Sequence, residues 1–212
     1  MKNKRALFVN ALTFSRVPLI FAWLVFAVAE EFLGGWTLFA LACASMLLSG
    51  LTDLWDGKLA RKWNVVSTLG KMSDPLMDKV FFIVAFPALA WQAMHSGESE
   101  FHALVLLVFT ILYMLRDTWV TFMRSVGTMY GADVAAMWLG KVRTALSFPG
   151  AGWIYIYLAA HPLAPASWQM PWLYSCYFVE FGLGLLTIYS LFTYTAAYMP
   201  YLKRALGANE VS

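Results

Sequence analysis

Charged residues are scarce in this chain. Only 13% of its 212 residues are Asp, Glu, Lys or Arg, whereas 61% are hydrophobic. Soluble domains carry roughly 25% charged residues, so the composition argues against a soluble protein and predicts an integral membrane protein. The net charge of +3 also leaves no basic surface for nucleic acid beyond the residues that membrane topology requires.

Cysteine and histidine are also rare. The two cysteines, Cys43 and Cys176, both lie in apolar runs, where free cysteines usually are small buried hydrophobic residues. We therefore expect neither a disulfide nor a cysteine metal site. His95 and His102 flank a short acidic stretch between two apolar runs and are interpreted as solvated loop residues.

Long apolar runs are abundant in the chain. Six of them are near the roughly 20 residues that a helix needs to cross the hydrocarbon core, which predicts an all-α protein with six transmembrane helices. They cover residues 17–33, 36–56, 74–94, 101–123, 140–160 and 171–199. Residues 1–16 mix basic, polar and apolar side chains and predict a juxtamembrane arm, a short helix on the membrane surface. We interpret residues 1–212 as one membrane domain.

Basic residues are distributed unevenly along the chain. All 15 Lys and Arg residues fall in the arm, at or near the connections after the second and fourth spans, or near the C-terminus. The other connections carry Glu30 and Glu31, then Glu98 and Glu100, and then no charge. By the positive-inside rule, both termini lie in the cytoplasm. We expect a multi-pass protein of the inner, cytoplasmic membrane.

Four aspartates interrupt the apolar pattern. Asp53 and Asp56 end the second run, and Asp74 and Asp78 begin the third. On helices each pair shares a face, so all four are predicted to converge at the cytoplasmic side of the membrane. They need a positive partner, because an Asp at a helix centre costs roughly 2.5 to 3.5 kcal/mol. Oxygen ligands favour Mg²⁺ or Mn²⁺, and four carboxylates suffice for two such cations.

These aspartates belong to a longer pattern. It reads Asp-x-x-Asp-Gly-x-x-Ala-Arg, eight residues, then Gly-x-x-x-Asp-x-x-x-Asp, and it is filled by Asp53, Asp56, Gly57, Ala60, Arg61, Gly70, Asp74 and Asp78. The pattern resembles the signature of the CDP-alcohol phosphatidyltransferase family. The alternative is a solvated loop in which the acids only pair with nearby lysines and arginines, but such a loop does not require small residues at positions 57, 60 and 70.

The resemblance implies a six-helix, homodimeric membrane enzyme that displaces CMP from a CDP-linked lipid with an acceptor hydroxyl. It implies two divalent cations held by the four aspartates, with Asp78 as the general base. It also implies a CDP-lipid-binding set formed by Asn10, Asp56, Gly57, Ala60, Arg61 and Gly70. The residue chemistry agrees, because Arg61 can neutralise diphosphate oxygens and the small residues leave room for a pyrimidine ring.

Further segments resemble one branch of that family, the phosphatidylglycerophosphate synthases. They are Asn10-Ala11-Leu12-Thr13-Phe14-Ser15-Arg16, Asp74-Pro75-Leu76-Met77-Asp78-Lys79, Arg116-Asp117 with Arg124, and Gly140-Lys141-Val142-Arg143-Thr144. The chain has Val9 and Met77 where Pro and Ala are usual in that branch. The branch implies CDP-diacylglycerol as the donor and glycerol 3-phosphate as the acceptor.

Four cations are predicted to form the acceptor site: Arg116, Arg124, Lys141 and Arg143. An anionic acceptor needs such a set, whereas inositol, serine or choline needs less positive charge. Positive-inside anchoring also accounts for Arg124 and Arg143. Arg116 lies inside an apolar run, where its neighbour Asp117 is placed to neutralise it. Within the sixth span, Glu180 is an intramembrane acid that pairs either across helices or at a dimer interface, and the sequence does not assign its role.

Other functions stay open at this point. Within the family, the acceptor is glycerol 3-phosphate or else inositol phosphate, serine or another alcohol. From a different class, a divalent-cation transporter would distribute carboxylates over several helices through the bilayer, whereas here four gather at one face. A catalytically silent scaffold would have no need for the intact signature.

Overall fold

The computed structural model describes residues 2–65, 68–97, 99–132 and 138–207, without the side chains of residues 2, 68–72, 74, 75 and 139. These ranges contain helices and turns and no strand, which confirms the predicted all-α class. The helices are α1 (Lys2–Phe14), α2 (Arg16–Leu33), α3 (Trp36–Lys62), α4 (Thr68–His95), α5 (Glu100–Met129), α6 (Trp138–Ala160) and α7 (Ala166–Ala205), with a 3-10 turn at His161–Leu163.

The six predicted spans correspond to α2 through α7. Segments of α1–α2, α3, α4, α5 and α7 are long and apolar enough to cross a membrane. Helix α6 has 23 residues, which is long enough, but its N-terminal half carries Lys141, Arg143, Thr144 and Ser147. Its Arg143, Ser147 and Tyr155 are at most 2% exposed. Since neighbouring helices cover these residues, α6 has no need of an apolar surface on every side.

Helix α4 connects the two sides of the bundle. It packs against α2, α5 and α6, and α1 packs across the ends of α3 and α4. In the core, the ring of Phe86 on α4 meets Phe109 and Tyr113 of α5 edge-on, with centroids 4.9 and 4.8 Å apart. The arm, predicted as a short helix, is therefore helix α1, held directly on the aspartate-bearing helices.

Helices α5 and α7 run past their predicted ends. A small apolar cluster accounts for the extension of α7, because Tyr201 and Leu202, which lie past its predicted end, pack against Val120, Met123, Tyr194 and Tyr198. Hydropathy identifies only the part of a helix that crosses the membrane. It does not detect further helical turns that packing stabilises outside the membrane. The extended ends lie at the same end of the bundle as the aspartates.

The prediction for His102 is wrong. His102 lies in the first turn of α5, is fully buried, and places its Nε2 2.8 Å from Oε1 of Glu180 on α7. Because α5 already begins at Glu100, the histidine turns inward against the rings of Tyr157 and Tyr177. Of the two alternatives for Glu180, the structure therefore shows pairing across helices.

The structure shows no disulfide at either cysteine among the described residues. Cys176 is buried and Cys43 is half-buried.

Candidate active site

The signature aspartates are carried by two consecutive helices. Asp53 and Asp56 lie on the last turns of α3, and Asp78 lies near the start of α4. This arrangement is the one expected from the spacing. Asp74 and Gly70 are also on α4, but the side chain of Asp74 and the surroundings of Gly70 lie outside the described part of the structure.

The three described aspartates converge on the guanidinium of Arg16. Its Nη2 lies 2.5 Å from Asp53 Oδ1 and 2.7 Å from Asp56 Oδ2, and its Nη1 lies 3.1 Å from Asp78 Oδ1. Asp56 is buried, whereas the side chains of Asp53 and Asp78 are 49% and 44% exposed. Acids from α3 and α4 thus meet the first residue of α2 at a single point.

Helix α1 closes one side of this point. The hydroxyl of Thr13 donates a hydrogen bond of 2.7 Å to Oδ2 of Asp56. The arm is also held on α3 by Trp63, whose ring lies beside Phe8 and under the guanidinium of Arg5. Since Asp56 is buried, the bonds from Thr13 and Arg16 fix the orientation of its carboxylate.

A cavity of about 770 Å³ opens beside the aspartates. Its wall on α3 includes Leu47, Leu51 and Leu54, whose side chains are also exposed on the outer surface of that helix. The cavity therefore reaches the apolar surface that faces lipid. Asp53 and Asp78 line its polar part, so an amphiphilic ligand can place a charged group at the acids and an apolar group along α3.

The four predicted acceptor-binding residues line this same cavity. They are Arg116 and Arg124 of α5, and Lys141 and Arg143 of α6. Six Lys and Arg residues line the cavity against three aspartates, so it favours an anionic ligand. The structure thus joins two groups of residues that are far apart in the sequence.

Two of the cations are fixed by a buried network. Asp117 accepts from Arg116 at 2.9 Å and from Arg143 at 2.5 Å, and the guanidinium of Arg143 lies 4.0 Å from the ring centroid of Tyr113. Arg116 also donates to the hydroxyl of Ser190 on α7 at 3.1 Å. Within the described part of the chain, Nε and Nη1 of Arg143 are buried without a hydrogen-bond partner. A buried guanidinium with two unused donors suits an anion, because unpaired donors in a protein interior are costly.

The donor set at the aspartates fits a hard divalent cation. Three carboxylates of two helices each place an oxygen within 3.1 Å of one guanidinium, and carboxylate oxygens are what Mg²⁺ and Mn²⁺ prefer. Among the described side chains, no group of three His, Cys, Asp or Glu residues is already arranged to hold a metal ion. The fourth predicted ligand, Asp74, is not among those side chains.

The residues predicted to bind the CDP-lipid are more scattered. Asn10 lies on α1, and Gly57, Ala60 and Arg61 lie on the last turns of α3. Within the described residues, none of these four lines the cavity. The guanidinium of Arg61 folds back over Gly57, where a Cβ would lie 3.7 Å from its Nη2. Of these four residues, Gly57, Ala60 and Arg61 follow Asp56 directly on α3.

Sequence reasoning assigned no site role to four residues: Thr13, Arg16, Ser190 and Tyr194. The first two had a signal, since both lie in the segment Asn10–Arg16 that resembles the phosphatidylglycerophosphate synthases. Ser190 and Tyr194 had none. They are ordinary residues of a long helix, and only the packing of α7 on α5 brings them to Arg116, which lies 5.0 Å from the ring centroid of Tyr194.

The comparison with protein families gives one match over most of the chain. The family model described as CDP-alcohol phosphatidyltransferase matches residues 7–193. The matched segment includes every site residue described above except Tyr194.

Curated proteins of similar sequence carry two kinds of name. The chain is 32% identical to a CMP-forming cardiolipin synthase of Streptomyces coelicolor, over 75% of this chain and 74% of that protein. It is 32% identical to the CDP-diacylglycerol–glycerol-3-phosphate 3-phosphatidyltransferase of Escherichia coli K12, over 68% and 73%. A protein of the same name from Mycoplasma genitalium is 31% identical, over 66% and 61%.

Proposed function

Because this chain belongs to the CDP-alcohol phosphatidyltransferase family, we propose that it transfers the phosphatidyl group of CDP-diacylglycerol to glycerol 3-phosphate, with release of CMP. The observation that carries this proposal is the cavity. It brings the signature aspartates Asp53 and Asp78 together with four cations of α5 and α6 and reaches the lipid-facing surface of α3. The cavity therefore offers an apolar surface to a lipid donor and positive charge to a small anionic acceptor.

The reaction is one displacement at phosphorus. A hydroxyl of the acceptor attacks the phosphorus that carries diacylglycerol, a new P–O bond forms, and the P–O bond to the CMP phosphate breaks. The hydroxyl proton passes to the carboxylate of Asp78, and CMP leaves. Asp78 suits this role because it lines the cavity and is 44% exposed, so substrate can reach it.

Enzymes of this family generally depend on divalent cations. We propose two of them, Mg²⁺ or Mn²⁺, held by Asp53, Asp56, Asp74 and Asp78. When bound, they supply positive charge that neutralises the diphosphate and stabilises the leaving CMP. The chain itself contributes the orientation of Asp56, which Thr13 fixes by a hydrogen bond.

The nucleotide is placed on the surface next to the aspartates. We assign its binding to Asn10, Asp56, Gly57, Ala60, Arg61 and Gly70. Arg61 is exposed beside Gly57 and can turn from the helix to a phosphate oxygen. This placement leaves the cavity to the acyl chains along α3 and to the acceptor at α5 and α6.

We assign the phosphate of the acceptor to the basic wall, the side of the cavity that α5 and α6 form. Arg116, Arg124, Lys141 and Arg143 line it, and Asp117 holds two of the four in place. Pre-oriented guanidinium groups recognise a phosphate by paired hydrogen bonds. A neutral acceptor such as serine or inositol would leave the unpartnered nitrogens of Arg143 without a ligand.

A second acceptor is favoured by one comparison. The similarity to a CMP-forming cardiolipin synthase spans more of the chain than the similarity to the Escherichia coli enzyme. Cardiolipin contains two phosphatidyl groups on one glycerol, so phosphatidyl transfer to phosphatidylglycerol would form it. Both acceptors present a glycerol hydroxyl and a phosphate, but phosphatidylglycerol carries one negative charge fewer on that phosphate and brings two acyl chains.

In the cell, we place the protein in the inner membrane as a homodimer, with both termini and the active site in the cytoplasm. The apolar helices support the membrane location, and the distribution of Lys and Arg supports the orientation.

An acceptor panel tests the proposal. Purified enzyme with CDP-diacylglycerol and Mg²⁺ or Mn²⁺ receives glycerol 3-phosphate, phosphatidylglycerol, inositol phosphate or serine, and CMP and the lipid product are measured. We expect the highest kcat/KM with glycerol 3-phosphate. A higher value with phosphatidylglycerol would establish the second candidate. Absence of CMP release with all acceptors, together with Mn²⁺ flux into proteoliposomes, would indicate a cation transporter instead.

A further inference from the structure

Arg16 supplies the positive charge at the centre of the aspartate site. Its side chain is 7% exposed and contacts Asp53, Asp56 and Asp78, two of them at 2.7 Å or less. Three carboxylates from α3 and α4 would otherwise repel one another in a partly buried place. The guanidinium therefore holds together acids that belong to two different helices.

The contacts of Arg16 involve carboxylates that divalent cations would need. Oδ2 of Asp56 accepts hydrogen bonds from both Arg16 and Thr13 at 2.7 Å. Mg²⁺ binds carboxylate oxygens at about 2.1 Å and tolerates little deviation from ideal geometry. A cation at that distance would lie directly beside the guanidinium and repel it. Arg16 and the cation are therefore competitors for the same carboxylates.

We propose that Arg16 is a built-in substitute for the cation: it keeps Asp53, Asp56 and Asp78 assembled in the metal-free protein, and metal binding displaces it. This inference rests on the metal site of the proposed function. Arg16 is the first residue of α2 and its side chain also lines the cavity, so a rotamer change is enough to move its guanidinium. Anionic oxygens of a bound diphosphate offer the displaced group new partners.

The proposal predicts that replacement of Arg16 strengthens metal binding, which is the opposite of what a purely structural role predicts. If Arg16 only supported the fold, its replacement would weaken metal binding by loosening the site. If Arg16 competes with the metal, its replacement by a neutral residue removes the competitor and tightens metal binding. The metal-free variant loses stability at the same time, because three carboxylates are left without their shared cation.

The test uses the purified full-length protein in detergent without substrate. Binding of Mn²⁺ is measured from the loss of the free-ion electron paramagnetic resonance signal for wild type, Arg16→Lys and Arg16→Gln. Arg204→Gln is the matched control, because it removes an exposed arginine of α7 that stacks on Tyr201. We expect Arg16→Gln to bind Mn²⁺ about tenfold more tightly or better, Arg16→Lys to fall between, and the control to equal wild type.

Melting temperatures give the second readout. In EDTA, Arg16→Gln is expected to melt below wild type, and the difference should shrink in saturating Mn²⁺ because the ion then supplies the missing charge. If Arg16→Gln does not accumulate as folded protein, Arg16→Lys carries the test, since one ammonium group cannot contact three carboxylates as a guanidinium does.

Two results overturn the inference for different reasons. If wild type binds Mn²⁺ and the Arg16 variants bind it equally or more weakly, Arg16 is not a competitor, and the proposed function is unaffected. If wild type binds no Mn²⁺, the metal site of the proposed function fails and the inference fails with it. Loss of Mn²⁺ binding in Asp56→Asn shows that the measured ion occupies the aspartates.

Discussion

Asp56 and Asp78 differ in exposure although both contact Arg16. Asp56 is buried and accepts a hydrogen bond from Thr13, whereas Asp78 is 44% exposed at the cavity. A fixed, buried carboxylate suits ligand binding, and a reachable one suits proton transfer. The two aspartates therefore have separable roles in the proposed reaction.

Replacement of Asp78 tests this separation. Asp78→Asn keeps the size of the side chain but removes the proton acceptor, so we expect transfer to fall at least about 100-fold, the lower end of the usual contribution of general base catalysis. Binding of CDP, measured by calorimetry in Mn²⁺, should be retained better than in Asp56→Ala. Full activity in Asp78→Asn would remove this residue from the mechanism.

Arg143 tests the acceptor site. Arg143→Gln removes the buried guanidinium whose Nε and Nη1 have no hydrogen-bond partner, while Asp117 keeps its bond to Arg116. We expect KM for glycerol 3-phosphate to rise roughly 10- to 100-fold, as for the loss of one charged hydrogen bond. KM for CDP-diacylglycerol should change little, as it should for Arg204→Gln. An equal rise in both KM values would assign Arg143 to the fold rather than to the acceptor.

The sequence identified the site residues whose signal is local. Asp53, Asp56 and Asp78 follow from spacing, and their convergence follows from helix geometry. Arg16 received no role because its partners Asp56 and Asp78 lie 40 and 62 positions away, and no spacing links them. The short-range pattern shows that an arginine is present and does not show what it contacts.

At the level of helices, α3 and α6 approach closely at Gly50. A Cβ on this residue would lie 2.5 Å from Cζ of Phe148, whose ring is in turn 4.7 Å from that of Phe81. The phenyl ring therefore has little freedom to move aside. Both Gly50 and Phe148 line the cavity, so this contact also sets the distance between its lipid-facing wall and its basic wall.

Gly50→Ala tests this contact. Overpacking of this kind costs about 1–3 kcal/mol, so the melting temperature of the purified protein should fall by several degrees. Gly182→Ala is the control, since a Cβ there meets nothing within 4 Å. Equal melting temperatures for the two variants would show that α3 and α6 are not in tight contact.

The helices themselves were largely predictable because apolar length is a strong signal. All six predicted spans are helices, and the residues that escaped prediction are those that tertiary packing controls. His102 was assigned to a solvated loop, yet packing of α5 on α7 buries it against Glu180. Helix α6 was recognised as a span, but its central position explains why it tolerates Arg143 and Ser147.

Among the described residues, the largest group of charged side chains lies at the cavity end, where α2, α3, α4, α5 and α6 contribute them. The buried pair of His102 and Glu180 lies elsewhere in the bundle. The family and the chemistry of the cavity end were recognisable from sequence motifs. The acceptor was not, because relatives with different names are equally similar and the acceptor depends on packing around Arg116 and Arg143.

The orientation of the bundle in the membrane is also a property of the whole molecule. All 15 Lys and Arg residues lie in the arm, near the aspartates in the sequence, on the cavity end of α5 and α6, or in the last turn of α7. If the positive-inside rule governs insertion, chains fused to green fluorescent protein after Gly131 or at the C-terminus should fluoresce, because the fusion point is cytoplasmic. Alkaline phosphatase fused after Gly97 or Ala164 should be active, because these connections lie on the opposite side. The reverse pattern would place the cavity outside the cytoplasm, away from nucleotide, and would contradict the proposed reaction as well as the orientation.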